Sequence, residues 1–130
     1  MDMTEIFSCF DRGALCLPGD ITRFGVVKWV PHSVFEGVEL KHLVKGGSVK
    51  GLFSYHLVRI APGRKIGMHV HEAQVETHEV MAGSGTCIND GVVLAYVPGV
   101  VSVFAANTPH EIVAGEEELF LFAKFFPALC

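Results

Sequence analysis

The segment Gly63-Arg64-Lys65-Ile66-Gly67-Met68-His69-Val70-His71-Glu72-Ala73-Gln74-Val75-Glu76-Thr77-His78-Glu79-Val80-Met81-Ala82-Gly83 holds three of the chain's seven histidines. Residues i and i+2 of a strand face the same way, roughly 6.6–6.8 Å apart. Two imidazoles at that spacing can lean onto one ion at about 2.0–2.1 Å from each nitrogen. His69 and His71 have this spacing, within a run from Ile66 to His71 that reads as a buried strand. Burying two histidines costs free energy unless each finds a partner, and one shared metal ion satisfies both. His78 lies two residues after Glu76 and so shares its face. It is a candidate general base or substrate ligand, or a rim or core histidine satisfied by a neighbour.

Around this segment the chain reads as short β-branched and aromatic runs separated by Gly, Pro and Asn. They are Phe24 to Val30, Val38 to Val44, Leu52 to Ile60, Ile66 to His71, Glu76 to Met81, Gly85 to Ile88, Val92 to Val97, Val100 to Phe104, His110 to Val113 and Leu119 to Phe126. Asn89-Asp90-Gly91 is a hairpin signal between two of them. No amphipathic helix of useful length is evident, so the pattern predicts an all-β sandwich or barrel. The first ~20 residues are the least patterned, and Leu17-Pro18-Gly19-Asp20 reads as the turn that ends a terminal arm. The expected division is an arm over residues 1–22 and one barrel domain over residues 23–130.

The glycines and the second histidine cluster add a pattern. Gly63 lies six residues before His69, Glu76 five after His71, Gly83 seven after Glu76, and Pro98-Gly99 precedes His110. This order resembles the cupin superfamily, whose first motif runs Gly, five residues, HxH, three or four residues, Glu, six residues, Gly. Gly63, His69, His71, Glu76 and Gly83 meet every fixed position. Gly99 and His110 match the second motif, with Ala105 and Asn107 in place of its Pro and Gly, and Ala114 in place of its trailing Asn. Asn tolerates positive φ, so Asn107 can still make the turn. The resemblance covers Leu52 to Phe126 and implies a single-domain double-stranded β-helix, or jelly-roll barrel, with a metal deep in one mouth. It also implies that His69, His71, Glu76 and His110 bind one divalent ion. That donor set suits Fe, Mn, Ni or Zn without choosing among them. Glu72 alternates with His71 and is expected to face outward, below Glu76 in rank.

Composition bounds the rest. With 130 residues, half of them apolar, the chain calls for a large enclosed core, a subunit interface, or both. No apolar run approaches the ~18 residues that span a bilayer. The acidic start, Met1-Asp2-Met3-Thr4-Glu5, lacks the features of an export signal, so a cytoplasmic location is expected. A net charge of −4 with scattered basic residues argues against nucleic acid as a partner. Cys9, Cys16, Cys87 and Cys130 form no CxxC pair and read as free thiols, Cys87 as a buried, inert one.

Further residues leave alternatives open. Only one of Tyr55 and His56 can face inward, and Arg59 shares Tyr55's side; an inward Arg59 points to a carboxylate substrate and an outward one is a surface charge. Tyr96 could line the cavity or serve in packing. Phe120 and Phe122 share a face that could be a dimer seam or a cavity wall. The expected function is a metal-dependent enzyme on a small polar molecule, sugar-acid-like or another carbonyl or carboxylate compound, with Glu76 or His78 moving a proton. An Fe(II)-dependent dioxygenase, and a non-catalytic ligand-binding or sensing module with a structural metal, are the alternatives. The expected partners are a small-molecule ligand and, as a homodimer, a second copy of the chain, with no nucleic acid or membrane.

Overall fold

The computed structural model describes residues 2–130; Met1, the first residue of the expected arm, lies outside them. The order is α1 (Met3–Asp11), β1 (Ala14–Leu17), β2 (Asp20–Arg23), β3 (Val30–Pro31), β4 (Val38–Val44), β5 (Ser54–Ile60), β6 (Lys65–His69), β7 (Val75–Ala82), β8 (Gly85–Asn89), β9 (Val92–Tyr96), β10 (Val101–Phe104), β11 (His110–Ala114) and β12 (Leu119–Phe126). Two antiparallel sheets face each other, one of six strands in the order β10-β7-β12-β5-β4-β3 and one of four in the order β6-β11-β8-β9. This is the all-β, jelly-roll architecture expected from the strand runs and motifs. Alternation explains the inner core: Leu119, Leu121, Ala123 and Phe125 of β12 point inward, joined by Val58, Ile60, Val80 and Ile112.

The residues before β3 differ from the sequence expectation. Asp2 and Glu5 close a capping box, and α1 follows for nine residues. Its apolar face covers the outside of the larger sheet. Phe7 packs on Phe120 with ring centroids 4.6 Å apart, and Phe10 on Phe122 at 5.4 Å. The face shared by Phe120 and Phe122 is therefore covered by the chain's own helix and is not a cavity wall. Leu17-Pro18-Gly19-Asp20 turns between β1 and β2, a hairpin of its own. The run Phe24 to Val30 is a 3-10 turn at Phe24–Val26 followed by the two-residue β3. Phe24 plugs into this outer core while Val26 is exposed, which breaks the alternation a strand needs. The apolar excess thus fills two cores, one between the sheets and one behind them.

Ionic contacts pin the outer layer. The Lys41 ammonium is buried against the Asp11 carboxylate and the Asp11 carbonyl oxygen, the latter at 2.7 Å. The Trp29 indole N–H donates to the same carboxylate at 3.1 Å. Arg59 faces outward, bonded to Glu39 at 2.9 Å and stacked 4.0 Å over Trp29. His56 takes the inward side and Tyr55 the outer one.

Candidate metal centre

Each donor reaches the cavity from a different part of the fold. His110, at the start of β11, and His69, at the end of β6, are register partners on the smaller sheet. Glu76 lies on β7 of the larger sheet, between its register partners Phe104 and Phe125. His71 sits in the connection that carries the chain from one sheet to the other, because β6 ends at His69 rather than running on to His71. Val70, between them, is exposed, not buried as its place in the apolar run suggested. Strict alternation from buried Ile66 would turn His69 outward. A bulge reverses this: the register slips between His110 and Ile112, and Met68 N–H, left without a ladder partner, donates to the Glu111 carboxylate at 3.1 Å.

The donor atoms of His69, His71, Glu76 and His110 all lie within 4.8 Å of one another. Glu76 Oε1 is 3.0 Å from His110 Nε2 and 3.2 Å from His71 Nε2. His69 Nδ1 donates to the Gly67 carbonyl at 2.7 Å and His110 Nδ1 to the Thr108 carbonyl at 2.8 Å. Those carbonyls engage Nδ1 of His69 and His110, so Nε2, which in His110 faces Glu76 Oε1, is the nitrogen that each of the two rings would offer to an ion. Phe104 stacks on His110 at 4.2 Å and fixes the ring plane. Three imidazoles and a carboxylate, two of the rings oriented from behind in this way, fit a divalent ion. Glu72 is exposed and apart from the cluster.

His78 points to the same interior, and both its nitrogens are engaged. Nε2 is 2.7 Å from Glu76 Oε2 and Nδ1 is 2.9 Å from the Tyr96 hydroxyl. Burial raises Glu76, but the field of His78 and hydrogen bonds from His110, His71 and His78 outweigh it and hold the carboxyl well below its usual range. Burial lowers His69, offset in part by the Gly67 carbonyl. Burial also lowers His110, but its bonds to Glu76 and Thr108 prevail and raise it. Desolvation raises Cys87 and Tyr96, so neither is an ionised nucleophile at neutral pH.

The cluster opens on a cavity of about 570 Å³. Outside the cluster its walls are mostly apolar, Val34, Phe35, Leu40, Val58, Ile66 and Phe125 among them, with His32, Ser33 and His42 also lining it; among the described residues no lysine or arginine does. Phe35 and His32, on the loop before β4, close over the His69 side with Phe35 and His69 centroids 6.0 Å apart. Sequence reasoning missed this loop, which has no motif and reaches the site only through folding. It left Tyr96 open between lining the cavity and packing.

The cupin-domain family matches residues 56–123, more than half of the chain. No curated protein sequence matches it. Among solved structures it is similar to a protein described as a predicted oxalate decarboxylase from Thermotoga maritima, with TM-score 0.74, 21% identity, and coverage of 83% of this chain and 99% of that one. It is also similar to KdgF from Halomonas sp., with TM-score 0.67, 22% identity, and 77% and 86% of the two chains covered. A cupin-superfamily sugar phosphate isomerase from Silicibacter pomeroyi gives TM-score 0.65, 21% identity, and 78% and 72% coverage. At these identities the likeness bears on the fold, and it agrees with the sequence match: the chain belongs to the cupin family.

Proposed function

We propose that this protein is a metal-dependent enzyme acting on a small molecule through a carbonyl or enolate oxygen. The observation that carries the reading is the chain of hydrogen bonds from the histidine cluster through Glu76 and His78 to Tyr96. His69, His71, Glu76 and His110 hold one divalent ion, of iron, manganese, nickel or zinc. Bound there, the ion supplies Lewis-acid polarisation of a substrate oxygen. Glu76 offers Oε1 to the cluster and keeps Oε2 on His78, so His78 and Tyr96 position the carboxylate and hold a proton beside it. The apolar walls exclude water from that proton. Among the described residues no lysine or arginine lines the wall, so a carboxylate or sugar-acid substrate would find no fixed side-chain cation there beside the ion. A carbonyl compound with an apolar body therefore fits the cavity better than a polyanionic one.

The four free thiols suit a reducing compartment such as the cytoplasm. A homodimer is our reading of the exposed Val92, Val93, Leu94, Val101 and Val103, which lie on the edge strands β9 and β10; a monomeric mass by light scattering overturns it. No helix among the described residues is long and apolar enough to cross a membrane.

The test is metal analysis of protein purified without chelator, followed by turnover assays over a panel of apolar and acidic carbonyl compounds. We expect stoichiometric metal and turnover of an apolar carbonyl compound. His78→Gln is expected to keep the metal and lose about 100-fold or more in kcat. Metal-loaded protein that turns over no member of the panel would overturn the enzymatic reading.

A further inference from the structure

Outside the histidine–glutamate cluster, the fold gathers a second group of donors: His42, His56 and Cys130, whose ligand atoms also lie within 4.8 Å of one another. His42 and His56 are direct register partners on β4 and β5. Their rings stand at 88°, with the two Nδ1 atoms 2.7 Å apart. Cys130 is brought to them by the chain after β12, which is fastened at several points. Gln74 Nε2 donates to the Ala128 carbonyl at 2.9 Å and Ala128 N–H to the Gly51 carbonyl at 3.1 Å. Leu129 N–H donates to Ser54 Oγ at 2.8 Å and Gly46 N–H to the Cys130 carbonyl at 2.7 Å. Ser54 Oγ is in turn 2.7 Å from His56 Nε2, so one hydroxyl orients both the inner histidine and the segment that carries the thiol.

Two facing imidazole nitrogens share a single proton, one as donor and one as acceptor. A cation enters such a pair when that proton moves to the other nitrogen of its own ring and both facing lone pairs become free. We propose that His42, His56 and Cys130 form a second metal site, for a thiophilic divalent ion of the zinc class. Imidazole and thiolate donors bind zinc at about 2.0–2.1 Å and about 2.3 Å, which sets neighbouring tetrahedral donors roughly 3.3–3.6 Å apart. The two rings need only move apart by several tenths of an ångström, and the exposed Cys130 side chain closes from outside. The thiol gives up its proton to solvent, so one proton leaves for each ion bound. Three protein donors leave a fourth position for water.

The second site differs from the first in place and in chemistry. Phe125 stands between them, its ring centroid 5.5 Å from that of His56 and 5.2 Å from that of His71. The first cluster contains no sulfur. An ion in the second ties the Ala128–Cys130 segment to β4 and β5, beside the cavity that His42 and Leu129 line.

Cobalt(II) separates the two, because a cobalt–thiolate bond produces a near-ultraviolet charge-transfer absorption that nitrogen and oxygen donors do not. Metal-free, reduced protein is titrated anaerobically with cobalt(II), following the absorption and the stoichiometry. The expected result is a second bound equivalent accompanied by the thiolate absorption. Cys130→Ser loses that absorption and one equivalent, and His69→Ala loses one equivalent and keeps the absorption. His42→Ala, at a partly exposed position, is expected to behave like Cys130→Ser and guards against a folding artefact at Cys130. Three results overturn the proposal: no thiolate absorption in the unaltered protein, an undiminished one in Cys130→Ser, or its loss in folded His69→Ala.

Discussion

Asn107 shows how much one residue's backbone preference can decide. Its φ is 63°, the left-handed region in which Asn is tolerated and β-branched residues are strained. Its N–H donates to the His71 carbonyl at 2.8 Å, so the turn before β11 holds the off-strand histidine in place. His56 makes a different point at the same scale. Burial, reinforced by the nearby His42, pulls its pKa from 6.5 to about 4. Between those values the folded chain binds fewer protons than the unfolded one, so stability is full above about 6.5 and falls as pH drops toward 4. This group contributes up to roughly 3 kcal/mol to that loss. His42 and His69 are lowered and act in the same direction; His110 is raised and opposes them. Thermal denaturation of chelator-treated protein across this range is expected to show a falling Tm with acidification, and a flat profile would refute it.

Among the elements, α1 and β6 carry the most consequence. The nine-residue helix is too short to be stable alone and persists because Phe7 is buried between Phe120 and Trp29. Phe7→Ala is expected to cost about 3–4 kcal/mol in chemical denaturation. Metal content should be unchanged, because the inner core does not include Phe7. A loss below about 1 kcal/mol would show that the helix is not part of the cooperative unit. In β6 the bulge between Ile66 and His69 converts a three-residue spacing into a shared inward face. Gly67, inside the bulge, leaves room for the ring that covers His69: a Cβ there would sit 3.0 Å from Phe35.

For the whole molecule, the candidate metal centre is a cross-link between layers. His69 and His110 come from the smaller sheet and Glu76 from the larger one. An ion shared among them opposes separation of the sheets, and binding to the folded state alone adds about 2.7 kcal/mol at a hundredfold excess over Kd. Chelation is therefore expected to lower Tm by roughly 5–10 °C, and readdition of metal to restore it. Equal Tm values for the loaded and stripped protein would mean that the cluster binds no ion in the folded state. The second core behind the larger sheet accounts for the apolar excess within a single chain, without requiring a partner to cover Phe120 and Phe122.

The strand runs, the hairpin at Asn89-Asp90-Gly91 and the spacing Gly63, His69, His71, Glu76, Gly83 were legible because local steric preference and period-two alternation act between near neighbours. They sufficed for the all-β class, and the resemblance of the motif spacing to the cupins, with Gly99 and His110 as its second part, implied the four residues whose donor atoms the fold brings together. What lay beyond them depended on contacts between residues far apart in the chain. The bulge that turns His69 inward needs Glu111, forty-two residues after it, to satisfy a stranded N–H. The engagement of His78 by Tyr96, the covering of Phe122 by Phe10, and the meeting of His42, His56 and Cys130 arise the same way. So the sequence by itself pointed to which residues could bind metal, through their type and the motif spacing that resembles the cupins, and not through strand parity, which the β6 bulge overrides at His69. Only the tertiary structure decided which nitrogens are free to do so, because hydrogen bonds from distant strands and backbone carbonyls set each ring's tautomer and direction.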